Sequence, residues 1–127
     1  MANNPRLIIL IDDDIALLEM YETKLVMSGF KVLTANNGKE GFQLVSANTP
    51  DIVLTDLVMP ESDGFELLKK IKKDKRTKDF PTVALTNLSS ENDRKETMRD
   101  GAIDYLVKSN YTPAQIVEKI KGYLEIK

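Results

Sequence analysis

The stretch that decides the fold is Ile52-Val53-Leu54-Thr55-Asp56-Leu57-Val58-Met59-Pro60. Its first residues form an apolar run typical of a buried parallel strand, and Pro60 is expected to stop that strand. Asp56 follows the run, where open α/β sheets bind ligands, beyond the carboxyl ends of their strands. A lone aspartate at such a position more often caps a helix or makes a turn. The role of Asp56 therefore depends on what the other strands carry.

Length and composition exclude several classes of protein. The chain has 127 residues, 42% of them hydrophobic, so we expect residues 1–127 to form a single domain with one core. A net charge of −2 gives no reason to expect a nucleic-acid partner. The absence of cysteine and histidine excludes disulfides, thiolate or imidazole metal sites and a phosphohistidine carrier. No membrane span or signal peptide is visible, and we expect a cytoplasmic protein.

Strand and helix patterns alternate five times along the chain. Besides the central strand, apolar runs predict strands at Arg6–Ile11, Lys31–Ala35, Thr82–Thr86 and Ile103–Val107. Periodicity and capping residues predict helices at 15–27, from 37 to about 47, after Pro60, at 91–99 and from 112 to about 124. Parallel strands joined by right-handed helical crossovers give a three-layer α/β sandwich, and this is the predicted fold.

The sequence also predicts which faces pack. In the first helix we expect one buried face made of Ile15, Leu17, Leu18, Tyr21, Leu25 and Val26. Asp63 and Glu66 form a cap-like pair before the third helix. The helix Glu91–Arg99 is mostly polar, with Met98 as its clearest apolar anchor, so it should be loosely held. The run Lys69–Lys78 has seven basic residues among ten, and we interpret it as a solvated helix end and loop.

Polar side chains end or directly follow four of the five predicted strands. Asp12 and Asp13 follow the first strand, Asp56 the third, and Lys108 the fifth, while Thr86 ends the fourth. Each residue alone has a simple structural explanation. Because the carboxyl ends of parallel strands meet at one edge of the sheet, all five should lie close together, which favours a shared site.

The chemistry of this cluster points to a metal and to phosphoryl transfer. Two unit charges ~4 Å apart repel by about 4 kcal/mol at an effective dielectric near 20, so three carboxylates need a cation. Oxygen-only ligands favour a hard cation, and the absence of a calcium-loop pattern favours Mg²⁺, with Mn²⁺ as an alternative. A carboxylate nucleophile, a metal, Lys108 and the Thr86 hydroxyl together suit phosphoryl transfer.

Four motifs occur in order along the chain: Ile11-Asp12-Asp13-Asp14, Thr55-Asp56-Leu-Val-Met-Pro-Glu-Ser-Asp-Gly64, Ala84-Leu85-Thr86 and Asp104-Tyr105-Leu106-Val107-Lys108. With these motifs the chain resembles a response regulator receiver domain (CheY-like), the phosphorylated partner of sensor histidine kinases in two-component signalling. The resemblance runs from Leu7 to about Leu124. It implies a flavodoxin-like fold with a parallel sheet in the order 2-1-3-4-5.

The resemblance also implies a metal site. Asp56 would be the phosphoacceptor, Asp13 would bind Mg²⁺ directly, and Asp12 would bind it mainly through water. The backbone carbonyl of Val58 would complete the protein ligands. The chain would act as a signalling domain rather than an enzyme, taking its phosphoryl group from a sensor histidine kinase or a histidine phosphotransfer protein.

The resemblance also implies a conformational switch on phosphorylation. Lys108 would pair with one phosphoryl oxygen, Thr86 would reach another, and rotation of Tyr105 would track the change. The partner-binding surface for a downstream protein would be the face made by Glu91–Arg99, Ile103–Val107 and the helix from Pro113. No output domain is expected after the last helix, and the chain is either a stand-alone regulator or an excised domain.

Three positions depart from the family pattern. Ser109 replaces a proline that often follows the lysine with a cis bond, which leaves the geometry after Lys108 open. Asn87 stands where a small residue is usual, and its larger side chain leaves open whether it crowds the phosphoryl group or its donor. Ile15 replaces a common proline, which should matter little.

Two other classes share part of the pattern. A phosphohydrolase of the haloacid dehalogenase type also uses an aspartate after a strand, but it needs a second acid where this chain has Val58, and a cap domain. A flavodoxin-like flavin carrier needs a phosphate loop after the first strand, where the three aspartates Asp12–Asp14 would repel a phosphate unless a metal intervened. A colourless protein would exclude the flavin, and steady phosphate release would favour the hydrolase.

Overall fold

The computed structural model describes residues 5–59 and 62–124, apart from the side chains of Ser62 and Asp63. Five parallel strands form one sheet in the order β2-β1-β3-β4-β5, which confirms the predicted topology: β1 (Leu7–Ile11), β2 (Lys31–Ala35), β3 (Ile52–Thr55), β4 (Thr82–Thr86) and β5 (Asp104–Val107). The helices between and after them are α1 (Ile15–Met27), α2 (Gly38–Ala47), α3 (Gly64–Lys73), α4 (Glu91–Arg99) and α5 (Pro113–Tyr123).

Two short elements were not predicted from the sequence. Val58–Met59 pairs with Ser62–Asp63 in a two-residue antiparallel ladder just after the central strand. Lys108–Asn110 forms one 3₁₀ turn directly after β5. Both lie at the carboxyl edge of the sheet, so they shape the surroundings of the predicted site.

Local signals explain where the helices begin and end. The side chains of Asp14, Asn37, Ser90 and Thr112 cap α1, α2, α4 and α5 by accepting from backbone N–H groups of the first turn. Gly29 and Gly101 follow α1 and α4 at φ 97° and 112°, where a side chain would be strained. The expected cap-like pair before α3 includes Asp63, whose side chain lies outside the described residues.

The core lies in two layers, one on each face of the sheet. Alternation along β1 sends Ile8 and Leu10 toward α1 and α5, and sends Ile9 and Ile11 toward α2 and α3. In β3, Ile52 and Leu54 belong to the α1–α5 layer in the same way. Asp12 and Asp56 continue this alternation, so two carboxylates stand at the edge of one apolar layer.

The predicted buried face of α1 was wrong at two residues. Leu18, Tyr21 and Leu25 are buried, but Ile15 and Val26 are 49% and 52% exposed. Val26 follows Leu25 by one residue, about 100° around the helix, which turns it away from the sheet. Ile15 is the first residue of α1, where the helix begins beyond the end of the strand layer.

The predicted anchor of α4 was also wrong. Met98 is 37% exposed, whereas Thr97 is fully buried and is the residue through which α4 packs. Arg94 adds a polar link, because its Nη1 donates a hydrogen bond to the carbonyl of Tyr105 on β5 at 3.3 Å. The helix therefore has few apolar anchors, as expected, and its buried residue is the polar Thr97 rather than Met98.

Strand β3 ends at Thr55 for a local reason. The carboxylate of Asp56 accepts from the N–H groups of Leu57 and Val58, which turns the chain out of the sheet. Pro60, the expected strand stop, lies outside the described residues.

None of the helices in the described part of the chain has both the length and the apolar character that a membrane span requires.

Candidate functional site

The strand register brings polar residues from three strands to one place. Ile11 of β1 pairs with Thr55 of β3, so Asp12 and Asp56 leave the sheet side by side. On the other side, Thr86 of β4 pairs with Val107 of β5, and Lys108 follows. The side chains of Asp12, Asp56 and Lys108 are all buried, with 2%, 7% and 9% of their residues' surface exposed.

One ammonium group joins two of the carboxylates. The Nζ atom of Lys108 lies 2.5 Å from Oδ2 of Asp12 and 2.8 Å from Oδ2 of Asp56. Asp12 accepts a further hydrogen bond from the N–H of Asp14 at 3.0 Å. These charge-assisted contacts fix three side chains from three separate strands with respect to one another.

Burial and charge change the proton affinities in this network. Burial raises the pKa of Asp12 above its usual value, and the hydrogen bonds from Lys108 and Asp14 reduce that shift. Burial alone would lower the pKa of Lys108, but the hydrogen bonds and charges of Asp12 and Asp56 outweigh it and raise that pKa. Lys108 is therefore a firmly protonated cation inside the cluster.

A third carboxylate completes the cluster. Ligand oxygens of Asp12, Asp13 and Asp56 all lie within 4.8 Å of one another. When all three are ionised, Lys108 neutralises one negative charge and two remain, which a divalent cation would balance. The donors are oxygens only, and Asp13 is half-buried, so one side of the cluster is open to solvent. These residues fit a hard divalent cation such as Mg²⁺.

The backbone around Asp56 is held in a fixed position. The Oδ1 atom of Asp56 accepts hydrogen bonds from the N–H groups of Leu57 at 2.6 Å and Val58 at 3.2 Å. Its Oδ2 atom accepts the hydrogen bond from Lys108. Gly64 packs directly behind, where a Cβ atom would lie 2.2 Å from the Asp56 carbonyl oxygen and 2.4 Å from the Cα of Leu57. Sequence reasoning missed this role of Gly64, for which the only signal is a glycine at a helix start.

Thr86 is the last residue of β4, and its hydrogen bond joins it to the loop after that strand rather than to the acidic cluster. Its Oγ1 accepts from the N–H of Leu88 at 3.3 Å, and the Tyr105 hydroxyl donates to the carbonyl of Leu88 at 2.8 Å. The two backbone groups of Leu88 therefore link Thr86 to Tyr105. Within the described residues, no hydrogen bond joins Thr86 to Asp56. Leu88 is a connection that sequence reasoning missed, because backbone groups of a loop leave no sequence signal.

The buried position of Tyr105 has an electrostatic consequence. Its ring is 3% exposed and packs with Leu57 and Ala84. Burial raises the pKa of its hydroxyl, with smaller contributions from the charges of Asp93 and Asp56. The hydroxyl is therefore a stable hydrogen-bond donor to Leu88.

The remaining predicted positions surround this cluster. Val58 follows Asp56 by two residues and has 55% of its surface exposed, and Asn87 is exposed. The peptide bond between Lys108 and Ser109 is trans, since the described residues contain no cis peptide bond. The chain after Lys108 turns through the 3₁₀ turn instead.

Comparisons with known proteins agree on one family. Residues 8–121 match the family model described as "Response regulator receiver domain". The chain is 31% identical over 117 residues to the phosphate regulon transcriptional regulatory protein PhoB of Pseudomonas aeruginosa, with 92% of this chain and 51% of that protein covered. It is 38% identical over 104 residues to the DNA-binding dual master transcriptional regulator RpaA of Synechocystis, covering 82% and 43%. The chain thus spans about half the length of these relatives.

Solved structures give the same result. A CheY-like response regulator receiver domain protein from Methanospirillum hungatei superposes with a TM-score of 0.88 at 27% identity, covering 96% of this chain and 95% of that one. A response regulator from Chloroflexus aurantiacus gives a TM-score of 0.86 at 31% identity, covering 96% and 99%. In both cases the likeness covers 96% of this chain.

Proposed function

The chain belongs to the response regulator receiver family, a phosphoacceptor family of two-component signalling, and on that premise we propose that Asp56 is the residue phosphorylated. The observation that carries the proposal is the contact of one buried carboxylate with a buried ammonium group at the carboxyl edge of the sheet, Asp56 with Lys108 at 2.8 Å. The other oxygen of Asp56 is oriented by two backbone N–H groups. A nucleophile held this way needs little reorganisation before it attacks.

Lys108 would also stabilise the negative charge of the incoming phosphoryl group. Its charge is fixed beside Asp56, so it would meet an oxygen of the incoming phosphoryl group and stabilise negative charge there. Its contact with Asp12 holds the ammonium in place whether or not Asp56 is modified. Lys108 is thus a charge-stabilising residue rather than a base.

The metal site is proposed from the same cluster. Asp12, Asp13, Asp56 and the backbone carbonyl of Val58 would hold Mg²⁺, with Mn²⁺ as an alternative ion. Bound there, the ion neutralises charge on the phosphoryl oxygens and on the carboxylates. The support is the negative charge left on the cluster after pairing with Lys108.

The proposed donor is the phosphohistidine of a sensor histidine kinase or of a histidine phosphotransfer protein. The bond between phosphorus and the imidazole nitrogen breaks while a bond forms from phosphorus to a carboxylate oxygen of Asp56. The electron pair of the broken bond returns to the imidazole. These 127 residues contain no histidine, so the phosphohistidine of the donor must lie outside them.

A change of shape would carry the signal onward. A phosphoryl group with a charge of roughly −1.5 to −2 would replace the single negative charge of the Asp56 carboxylate and bring three strong acceptor oxygens. If the Thr86 hydroxyl donates to one of them, its position relative to the Leu88 N–H changes. Leu88 also holds the Tyr105 hydroxyl, so the loop before α4 and the aromatic ring would respond together.

The proposed output surface is the face formed by α4, β5 and α5. Helix α4 packs through few residues, which favours its displacement. PhoB and RpaA are transcriptional regulators by name, and their additional length lies outside the match with this chain. We propose that residues 1–127 form one receiver domain whose output passes to a downstream protein surface rather than directly to nucleic acid.

The proposal is tested with a small donor that has a phosphorus–nitrogen bond. Incubation with phosphoramidate should add one phosphoryl group per chain in the presence of Mg²⁺ and none in chelator, as measured by intact-mass spectrometry. Release of many equivalents of phosphate per chain without a stable mass increase would instead favour a phosphohydrolase.

A further inference from the structure

A basic groove lies between α2 and α3, outside the acidic site. Its volume is about 480 Å³, and four lysines line it together with Leu67 and a single acid, Glu66: Lys39, Lys69, Lys70 and Lys73. Lys39 comes from the first turn of α2, and the other three come from α3. None of these residues takes part in the proposed phosphorylation.

Part of the basic run 69–78 is explained by the fold. The Nζ atom of Lys72 donates to the carbonyls of Lys78 and Phe80 at 3.2 and 2.8 Å and closes the loop after α3. Arg76 pairs with Asp74 at 2.9 Å. These two residues support local structure, and neither lines the groove.

The lysines that line the groove make few contacts that would support the local structure. In the part of the chain that the structure describes, Lys39 and Lys73 make no ion pair, and Lys69 has only a 3.9 Å contact with the exposed Glu66. The Nζ atom of Lys70 lies 4.4 Å from the centre of the Phe42 ring, a cation–π contact that leaves its charge without a carboxylate partner among the described residues.

Helix electrostatics do not account for this arrangement. A cation near a helix C-terminus is favourable, which explains Lys70 and Lys73. Lys39 stands in the first turn of α2, where the helix dipole opposes a positive charge. Lys69 and Lys73 are four residues apart on one helix, a spacing at which like charges repel. An anionic group in the groove would relieve both effects.

We propose that this groove binds an acidic segment of a partner protein, with Asp and Glu carboxylates facing the four lysines. Charge complementarity and the concave shape between two helices support this occupant. A single-stranded nucleic acid is disfavoured, because none of the described residues that line the groove is aromatic, so a base would have no ring to stack on. A membrane surface is disfavoured, because the apolar residues of α3 point into the core.

The test uses a short fluorescein-labelled oligoglutamate and the full chain. We expect saturable binding that weakens as salt increases, with amide NMR shifts confined to the first turn of α2 and to α3. The variant K39Q/K70Q/K73Q should bind at least about tenfold more weakly. The matched variant K31Q/K75Q/K95Q has the same net charge but changes exposed lysines outside the groove, and it should change affinity by less than about threefold.

Three results would overturn the proposal. The first is an equal loss of binding in the two triple variants, which would mean a general charge effect. The second is a set of NMR shifts centred away from α2 and α3 in the unmodified chain. The third is tighter binding to a single-stranded oligonucleotide or to anionic phosphatidylserine vesicles than to oligoglutamate, lost in the groove variant.

Discussion

The side-chain nitrogen of Lys108 lies 2.8 Å from Oδ2 of Asp56, so a cation from the end of β5 already neutralises the carboxylate at the end of β3. The same nitrogen contacts Asp12. A buried cation with two carboxylate partners is costly to remove, because both partners are then left without compensation. The cluster is therefore stable without metal only while Lys108 remains charged.

Replacing Lys108 should make the free energy of unfolding depend more strongly on Mg²⁺. We expect Lys108→Met to lower the free energy of unfolding in chelator by about 3 kcal/mol, since two buried carboxylates lose their cation. Saturating Mg²⁺ should restore more stability to the variant than it adds to the parent chain. Urea unfolding of both proteins with and without Mg²⁺ measures this. The exposed Lys95→Met is the control, and equal effects of the two substitutions would contradict the network.

Gly64 offers a test of the packing behind Asp56. A Cβ atom there would lie 2.2 Å from the Asp56 carbonyl oxygen, so Gly64→Ala must displace backbone and should cost about 3 kcal/mol or more. Gly122 in α5 has no atom within 4 Å of an added Cβ, so Gly122→Ala should stabilise the chain by about 0.5 kcal/mol. Thermal unfolding of both variants decides this, and a neutral Gly64→Ala would show that the close approach is wrong.

The hydrogen bond from the Tyr123 hydroxyl to Asp104 predicts an alkaline pH dependence. Burial, then the hydrogen bond and charge of Asp104, raise the pKa of Tyr123 above its ordinary 10.0. A raised pKa means that the folded state holds the proton more tightly, so this stabilisation is complete below pH 10 and is lost as pH rises above it. Tyr123→Phe should therefore cost about 1 kcal/mol at pH 8, and the difference from the parent should shrink at higher pH.

Denaturant unfolding between pH 8 and pH 11 measures this difference. A difference between the parent and Tyr123→Phe that stays constant across the range would mean that the hydroxyl does not contribute through its proton.

Thr86 should be needed for the response to phosphorylation but not for the reaction. The phosphoryl mimic BeF₃⁻ should shift amide NMR signals from Thr86 through Leu88 and α4 to Tyr105 in the parent chain, because Leu88 links them. Thr86→Ala should keep the shifts near Asp56 and lose most of the others, while Thr86→Ser should keep both sets. Shifts that reach α4 equally in Thr86→Ala would rule out this route.

Much of the fold follows from local sequence signals. Asp14, Asn37, Ser90 and Thr112 cap their helices through atoms only a few residues away, so their roles were visible in the sequence. The apolar runs predicted five strands in the observed order. Parallel geometry then brought Asp12, Asp56 and Lys108 to one edge, where the structure places them in contact.

What sequence reasoning missed depends on contacts between distant parts of the chain. Helical periodicity gives the angles between residues around a helix, but it does not show which side of the helix faces the sheet. For this reason Ile15 and Met98 were predicted to be buried, whereas both are exposed. The close approach of Gly64 to Asp56 depends on how α3 returns to the sheet. The link from Thr86 to Tyr105 runs through backbone atoms of Leu88, which any residue except proline could provide.

The central claim is that Asp56 accepts the phosphoryl group, and the most direct measurement is the mass of the intact chain after incubation with acetyl phosphate and Mg²⁺. We predict an increase of one phosphoryl group in the parent chain and in the control Asp79→Asn, which changes an exposed loop aspartate. Asp56→Asn should show no increase, and fragmentation of the parent should place the group on the peptide that contains Asp56. Equal labelling of Asp56→Asn, or a phosphoryl group found on another residue of the parent, would contradict the account.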